Sequence, residues 1–452
     1  KQFKLMLSKF SEKKIVLHFI ITVKIKKLKM DRTIAPAAFE LENISLLPAQ
    51  EHLLSNGMKL NYINAGTEDL IRIEFIFDAG TNRENQTLLA NACNFLLNAG
   101  TTNYSSVELM EQIDFYGAYF QQDVTFDKAS ITLYTLNKYL KETLTLVLDI
   151  LTHSGFPESE IKTYVENTKQ RLAINLEKND FLAKRNFNHL LFGADHPYGK
   201  LLTAAACDQL TQAQLTQFFK EFYSFANCKI IAAGLITEKE INIIDELIST
   251  IPLSSKALPI LDLIKPAPAQ KILIEKPDAL QSAIRIGKLI GNKTDPDYID
   301  LIVLSTILGG YFGSRLMANI REDKGYTYGI GAGIASTLDT GFFYIATEVG
   351  ADVCAAAIQE IYFEIEKLKT TLVPESELDL VKNYLLGSYL GSIENVFSYA
   401  DKYKAIYPYG LDYSYYTTYF TRVKTINSQR IMDLANKYFA TDTLTEVVVG
   451  KK

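Results

Sequence analysis

Apolar and polar positions alternate over Leu70–Phe77, with Ile73, Phe75 and Phe77 in phase, which predicts a strand ended by Asp78-Ala79-Gly80. Beyond it the spacing changes to the helical period over about residues 87–97, and Asn98-Ala99-Gly100-Thr101 stops that helix. A second helix is predicted over 105–115, then two strands over about 118–124 and 129–135. Two long helices follow, at 139–151 and Glu158–Leu176, the second opened by Pro157 with acids in its first turn. Shorter helical patterns near 181–191 and 212–223 lead to a strand at 229–233.

The same order then returns. A strand is predicted at 283–289, helices at 298–308 and 314–321, strands at 327–335 and 341–348, helices at 352–368 and 375–390, and a closing strand at 445–449. Letters repeat along with the pattern. Pro157-Glu-Ser-Glu160 returns 217 residues later as Pro374-Glu-Ser-Glu377. The segments ending at Gly234 and Gly450 close the two copies, 216 residues apart, and Tyr116-Gly117 is matched to Tyr328-Gly329 at an offset of 212. Similarity at a nearly fixed period signals a duplicated unit. Five of the twelve prolines (Pro252, Pro259, Pro266, Pro268, Pro277) crowd one stretch, which reads as an extended linker. The expected division is an N-terminal extension over 1–45, a first domain over 46–250, a linker over 251–277 and a second domain over 278–452. The expected fold class is α+β, with two homologous domains, each a mostly antiparallel sheet covered on one face by helices.

At 452 residues, with 48% apolar and 22% charged positions, the chain is long for one core and ordinary in composition for a globular protein. Its net charge of −5 is uneven: residues 1–30 hold nine lysines against Glu12 alone, which leaves −13 on the remainder. So acidic a body offers no electrostatic footprint for nucleic acid. The apolar stretch within the basic head, residues 15–23, is far short of the roughly 20 residues that cross a bilayer. Lysines rather than a small-residue cleavage site follow it, so the natural start is read at Met30, with an export signal as the alternative. Four scattered cysteines, Cys93, Cys207, Cys228 and Cys354, suit a reducing cytoplasm better than a periplasm.

Gly100-Thr101, His196-Pro-Tyr-Gly199, Ser314-Arg-Leu316, Ile320-Arg-Glu322, Gly325 and Tyr328, in this order, resemble the insulinase-like metallopeptidase family M16. The resemblance runs from about residue 50 to the C-terminus and is strongest to the short bacterial members, in which two such domains form half of a clamshell. It implies a His-x-x-Glu-His helix before the Gly-Thr turn and a distal glutamate. Two histidines at i and i+4 share a helix face and hold zinc, while the glutamate between them activates water. Here the matching positions read Asn91, Asn94 and Phe95, and Arg171 stands where the distal glutamate is expected. Asn91 is a poor ligand, Phe95 is none, Asn94 has no carboxylate to take a proton, and a guanidinium repels a divalent cation. The histidines are His18, His52, His153, His189 and His196, with no two four apart, so no other register restores the motif. No metal or cofactor is expected in this chain. His189 and His196, seven apart across Gly193, read as parts of a turn.

The second-domain motif is intact. Arg321 and Tyr328 keep the family's separation of seven. The resemblance implies that Arg321 holds substrate carbonyl oxygens and that the Tyr328 hydroxyl supports an oxyanion. The competing reading pairs Arg321 with Glu322 or Asp323 and buries Tyr328 as a core aromatic. Arg315 is read as a structural or binding position. The glycine cluster around Gly309, Gly310 and Gly313 lacks the Lys-Ser/Thr of a phosphate loop and reads as a turn. Tyr403, Tyr407, Tyr409, Tyr413, Tyr415, Tyr416 and Tyr419 read as packing, with a partner surface as the alternative. The expected function is that of a non-catalytic subunit in a heterodimer or higher assembly with a zinc-bearing M16 homologue, binding peptide through Arg321 and Tyr328. A structural scaffold with no role in proteolysis and an enzyme of different chemistry are the alternatives.

Overall fold

The strand Leu70–Phe77 lies in the middle of a six-stranded sheet. In the computed structural model, residues 33, 45–253, 258, 264 and 267–452 are described. The start at Met30, most of the predicted extension and eleven of the 27 linker residues lie outside the described residues. Along the first half run β1 (Gln50–Leu53), β2 (Lys59–Asn64), β3 (Leu70–Phe77), α1 (Leu89–Phe95), α2 (Ser106–Phe115), β4 (Tyr119–Val124) and β5 (Ala129–Leu136). The helices α3 (Leu140–His153), α4 (Glu158–Leu176), α5 (Asn179–Phe192), α6 (Ala204–Asp208) and α7 (Gln212–Phe222) follow, then β6 (Lys229–Gly234) and α8 (Glu238–Ile248). The second half contains β7 (Lys271–Glu275), β8 (Gln281–Ile290), α9 (Tyr298–Ser305), β9 (Thr327–Ser336), β10 (Gly341–Gly350), α10 (Cys354–Thr370) and α11 (Glu375–Gly391). It closes with α12 (Val396–Ile406), α13 (Ser414–Thr425), α14 (Ser428–Tyr438) and β11 (Thr445–Gly450).

The first sheet has the order β1-β2-β6-β3-β5-β4 and the second β7-β11-β8-β10-β9. Only β2–β6 and β7–β11 pair in parallel; every other neighbour is antiparallel. The two orders superimpose once β1 is set aside. The fold is therefore α+β with two like halves. β1 and β2 lie in the lead-in before Leu70 and were not predicted, because their burial does not alternate cleanly. β7 forms at the end of the proline-rich stretch as an edge strand, a place that asks little of ladder hydrogen bonding.

The alternation in β3 sorts the two faces of the first sheet. Ile71, Ile73, Phe75 and Phe77 enter the main core with α1, α3, α7 and α8, while Ile76 joins Ile63, Ile231 and Ala233 on the other face. That other face is closed by α12, a helix from the second half, through Ala400 and its neighbours. The second sheet is closed in the same way by α5 from the first half, with Ala183, Phe187 and Leu191 against Ala283, Val447 and Val449. The exchange is reciprocal. Buried Arg72 of β3 donates to Asp401 of α12 at 2.8 Å, and Arg285 of β8 pairs with Asp180 of α5. Lys404 of α12 also pairs with buried Glu74. Gly287 makes the contact with α5 feasible, because a Cβ there would stand 2.0 Å from the Phe343 carbonyl oxygen and 2.9 Å from the Phe187 ring. Residues 44 to 452 consequently pack as one unit.

Candidate functional site

α1 carries three of the four positions at which the resemblance places zinc chemistry. It is shorter than the predicted 87–97 because Leu88, in a left-handed conformation at φ 85°, blocks its start. Glu84 secures the first turn, its Oε2 accepting the Ala90 N–H at 3.0 Å. Burial pushes the Glu84 carboxyl up to about 7, against the downward pull of the Ala90 and Leu88 N–H groups and Lys200. Sequence reasoning passed over Glu84; an acid just ahead of a helix start was the available signal. At the other end, Gln122 of β4 donates to the carbonyl oxygen of Asn94.

The side chains at these positions serve packing. Asn94 is 2% exposed, and its Nδ2 donates to the Tyr223 hydroxyl at 3.1 Å. Phe95 is 57% exposed, with its ring 5.2 Å from that of Tyr164 on α4. Burial pushes the Tyr164 hydroxyl up to about 12, so it stays a neutral phenol. Arg171, two turns beyond Tyr164 on α4, donates to Thr168 Oγ1 at 3.2 Å, and Asn91 is exposed. An aromatic pair, a buried amide and a guanidinium offer no imidazole or carboxylate, so these residues do not fit a zinc ion. Among the described residues, no group of three His, Cys, Asp or Glu side chains is disposed to hold a metal.

Arg321 and Tyr328 come together at the edge of the second sheet. The helix predicted over 314–321 is a π-helical turn, Met317–Asp323, closed by the Lys324 N–H on the Asn319 carbonyl at 3.0 Å. Such wide turns are rare and concentrate at functional sites. Ile320 is buried beneath this one, and the Asn319 amide ties it to Glu360 at 3.0 Å and Glu364 at 2.9 Å of α10. Tyr328 lies in a β-bulge, where Tyr328 and Gly329 together oppose Glu348 alone. The Thr327 hydroxyl pins the bulge, donating to the Glu348 carbonyl at 2.6 Å and accepting the Gly329 N–H at 3.1 Å. The Tyr328 side chain is 94% exposed, which sets aside the core-aromatic reading. Arg321 Nε donates to the Tyr328 carbonyl at 2.9 Å, while Glu322 stands at a loose 4.0 Å. Its guanidinium carbon lies 4.6 Å from the centre of the Phe312 ring and 5.9 Å from that of Tyr328. Sequence reasoning missed Phe312, although it stands inside the motif, two residues before Ser314.

The remaining sequence signals resolve into structure. Arg315 makes a bidentate ion pair with Glu377 at 2.8 and 2.9 Å, fixing the turn to α11. Gly309 lies against β9, where a Cβ would meet the Ala332 nitrogen at 2.5 Å. His189 Nδ1 is 2.8 Å from the Gly199 carbonyl and His196 Nδ1 accepts the Tyr198 N–H at 3.2 Å, so both hold the turn. The tyrosines pack: Tyr403 stacks with Tyr407 at 5.6 Å, and its hydroxyl donates to Asn61 at 2.8 Å. The pairing of Tyr116 with Tyr328 is corrected by the structure. Tyr116 caps α2 and Gly117 is left-handed at φ 62°, a place taken in the second half by Gly325 at φ 67°, while Tyr328 is already within β9.

The described edges therefore differ in chemistry: β4 adjoins α1 and its neutral aromatics, whereas β9 displays a cation framed by two aromatic rings. Two family models match the chain, "Insulinase (Peptidase family M16)" over residues 60–192 and "Peptidase M16 inactive domain" over 209–385. The chain belongs to the M16 family. It is a member without His-x-x-Glu-His, since no two of its five histidines stand four apart. M16 relatives of similar length include an "uncharacterized zinc protease YmxG" of Bacillus subtilis, 25% identical over 76% of this chain and 85% of the relative. A "non-peptidase homolog YmxG" of Helicobacter pylori is 24% identical over 84% of this chain and 89% of its own length. Among solved structures, a peptidase M16 inactive domain from Pseudomonas fluorescens shares the fold at a TM-score of 0.82 and 23% identity, covering 89% of this chain and 98% of that one. A protease from Helicobacter pylori does so at 0.81 and 17%, covering 90% and 100%. Among the described residues no helix is long and apolar enough to cross a membrane.

Proposed function

We propose that this chain is a non-catalytic M16 subunit that binds peptide beside the zinc site of a partner M16 homologue. The first domain, residues 46–250, supplies walls and no chemistry; the second, 278–452, supplies Arg321 and Tyr328, and residues 251–277 join them. One observation carries the reading: Tyr328 stands 94% exposed on a pinned bulge beside a stacked Arg321, a display that packing does not require. Arg321 Nε is engaged by the Tyr328 carbonyl, which leaves its two terminal nitrogens to hold peptide carbonyls. In this reading the Tyr328 hydroxyl donates to an oxyanion on the peptide. Zinc and the general base belong to the partner in this reading. The four free thiols support a cytoplasmic setting.

The test is co-expression with an M16 homologue that carries His-x-x-Glu-His, followed by a peptide-cleavage assay on the purified pair. Tyr328→Phe is expected to lower kcat by roughly 10²-fold, the usual cost of one lost oxyanion donor. Arg321→Ala is expected to raise KM as well. Unchanged activity in both variants would sink the shared site and leave the scaffold reading.

A further inference from the structure

Phe312 belongs to a turn that leaves it little freedom. The Ser314 N–H closes the turn on the Tyr311 carbonyl at 3.1 Å, and the Tyr311 ring packs at a tilt against that of Tyr384 of α11, their centres 5.1 Å apart. Gly313 is confined as well, because a Cβ there would stand 2.9 Å from the Tyr311 ring. Ser314 is buried, and Arg315 locks the far side to Glu377. The turn therefore holds Phe312 outward with its ring 63% exposed, one part of it covered by the Arg321 guanidinium at 4.6 Å. A single exposed phenylalanine on a mobile loop would need no explanation. This ring is held in place on a braced turn, next to a cation whose Nε is engaged by the Tyr328 carbonyl and whose two terminal nitrogens make no hydrogen bond among the described residues.

We infer that Phe312 is a specificity-determining residue, selecting peptides with an aromatic or large aliphatic side chain next to the carbonyl that Arg321 holds. This deepens the peptide-binding reading above and rests on it. With Phe312 and Tyr328 beside it and Nε engaged, the guanidinium has its two terminal nitrogens to offer a carbonyl. The uncovered surface of Phe312 then lies beside the neighbouring peptide side chain. An apolar side chain there covers the ring and removes both surfaces from water, whereas a serine gains nothing from it. Of the nearby acids, Glu377 is held by Arg315 and Glu360 by Lys324 at 3.2 Å, while Glu322, on the Arg321 turn itself, stays 4.0 Å from the guanidinium and half exposed to water.

The experiment uses the intact chain and short end-blocked peptides that differ only in one central residue, phenylalanine, leucine, serine or aspartate. Affinity is read by fluorescence anisotropy. The unmodified chain is expected to bind the phenylalanine and leucine peptides about fivefold more tightly than the serine one. Phe312→Ser should erase that difference and Phe312→Tyr should restore it; Arg321→Ala should weaken all four peptides alike. A preference that survives Phe312→Ser overturns the inference while the peptide-binding reading stands. Tightest binding by the aspartate peptide, independent of Phe312, also overturns it, since Arg321 would then be reading a side-chain carboxylate. Peptide affinities unmoved by Arg321→Ala, or no binding at all, sink both.

Discussion

The two sheets share a strand order and each is sealed by a helix from the opposite half, yet at corresponding edges they present opposite characters. Around α1 the side chains turn inward or cover one another: Asn94 bonds Tyr223 and Phe95 rests on Tyr164. Around β9 two irregular segments, a π-turn and a bulge, hold an arginine and a tyrosine outward. Irregular backbone of this kind gives up regular hydrogen bonding and persists where something other than packing keeps it. The contrast teaches that a duplicated scaffold can retain its core positions while only one copy displays an arginine and an exposed tyrosine at its edge. α1 keeps its place because Ala90, Ala92 and Cys93 are buried in the core, whatever becomes of the positions between them.

The strongest way to break the comparison is at the element the halves share. Phe187→Ala on α5 leaves a cavity against the second sheet and is expected to cost about 3–5 kcal/mol. Urea unfolding followed by circular dichroism should show one cooperative transition at a lower midpoint. A small loss, or separate transitions with the first unmoved, would show that the exchanged helices do not couple the halves.

Next in size is Glu84. Its folded-state carboxyl is raised from 4.5 to about 7, so the unfolded chain ionises first as pH rises. Below about 4.5 both states hold the proton and the group is neutral to stability. Between about 4.5 and 7 the folded state falls behind, and above that window the penalty is constant, up to about 3 kcal/mol. Stability measured at pH 4.5 and pH 8 should fall for the unmodified chain by that much more than for Glu84→Gln. Parallel pH profiles would refute the buried carboxyl as the cause.

Two smaller changes probe the site halves themselves. Asn94→Ala strands the buried Tyr223 hydroxyl and should cost about 1–3 kcal/mol in urea unfolding, since the amide there is structural. Tyr328→Ala removes a side chain that touches mainly water and should stay within about 0.5 kcal/mol of the parent. A large loss at Tyr328, or none at Asn94, would invert the comparison.

Much of this was legible in the chain. The phase of Ile73, Phe75 and Phe77, the repeated Pro-Glu-Ser-Glu starts and the Gly-Thr stop are local signals, and the elements they predict form where expected. β2 escaped because Asn61, a polar residue in a half-buried strand, finds its partner in Tyr403, more than three hundred residues away. α12 and α13 escaped because their tyrosines obscure the apolar stripe, whereas α14, whose Ile431, Leu434 and Ala435 form a clear buried stripe, was legible and passed over. The absence of His-x-x-Glu-His was plain from residue type, since no two histidines stand four apart in any register.

What the sequence determined alone is chemical identity and local period: two like halves, no histidine pair four apart, an arginine and a tyrosine seven apart. Tertiary structure decided the rest, because it depends on which surfaces meet. It converted the helix at Arg321 into a π-turn through the pull of Glu360 and Glu364 on Asn319, and raised Glu84 by removing it from water. It also crossed α5 and α12 between the sheets and set Phe312 beside Arg321. The exchanged helices and the Asn319 ties join residues far apart along the chain, Phe312 meets Arg321 across a turn, and periodicity, which is read along regular elements, holds no record of such meetings.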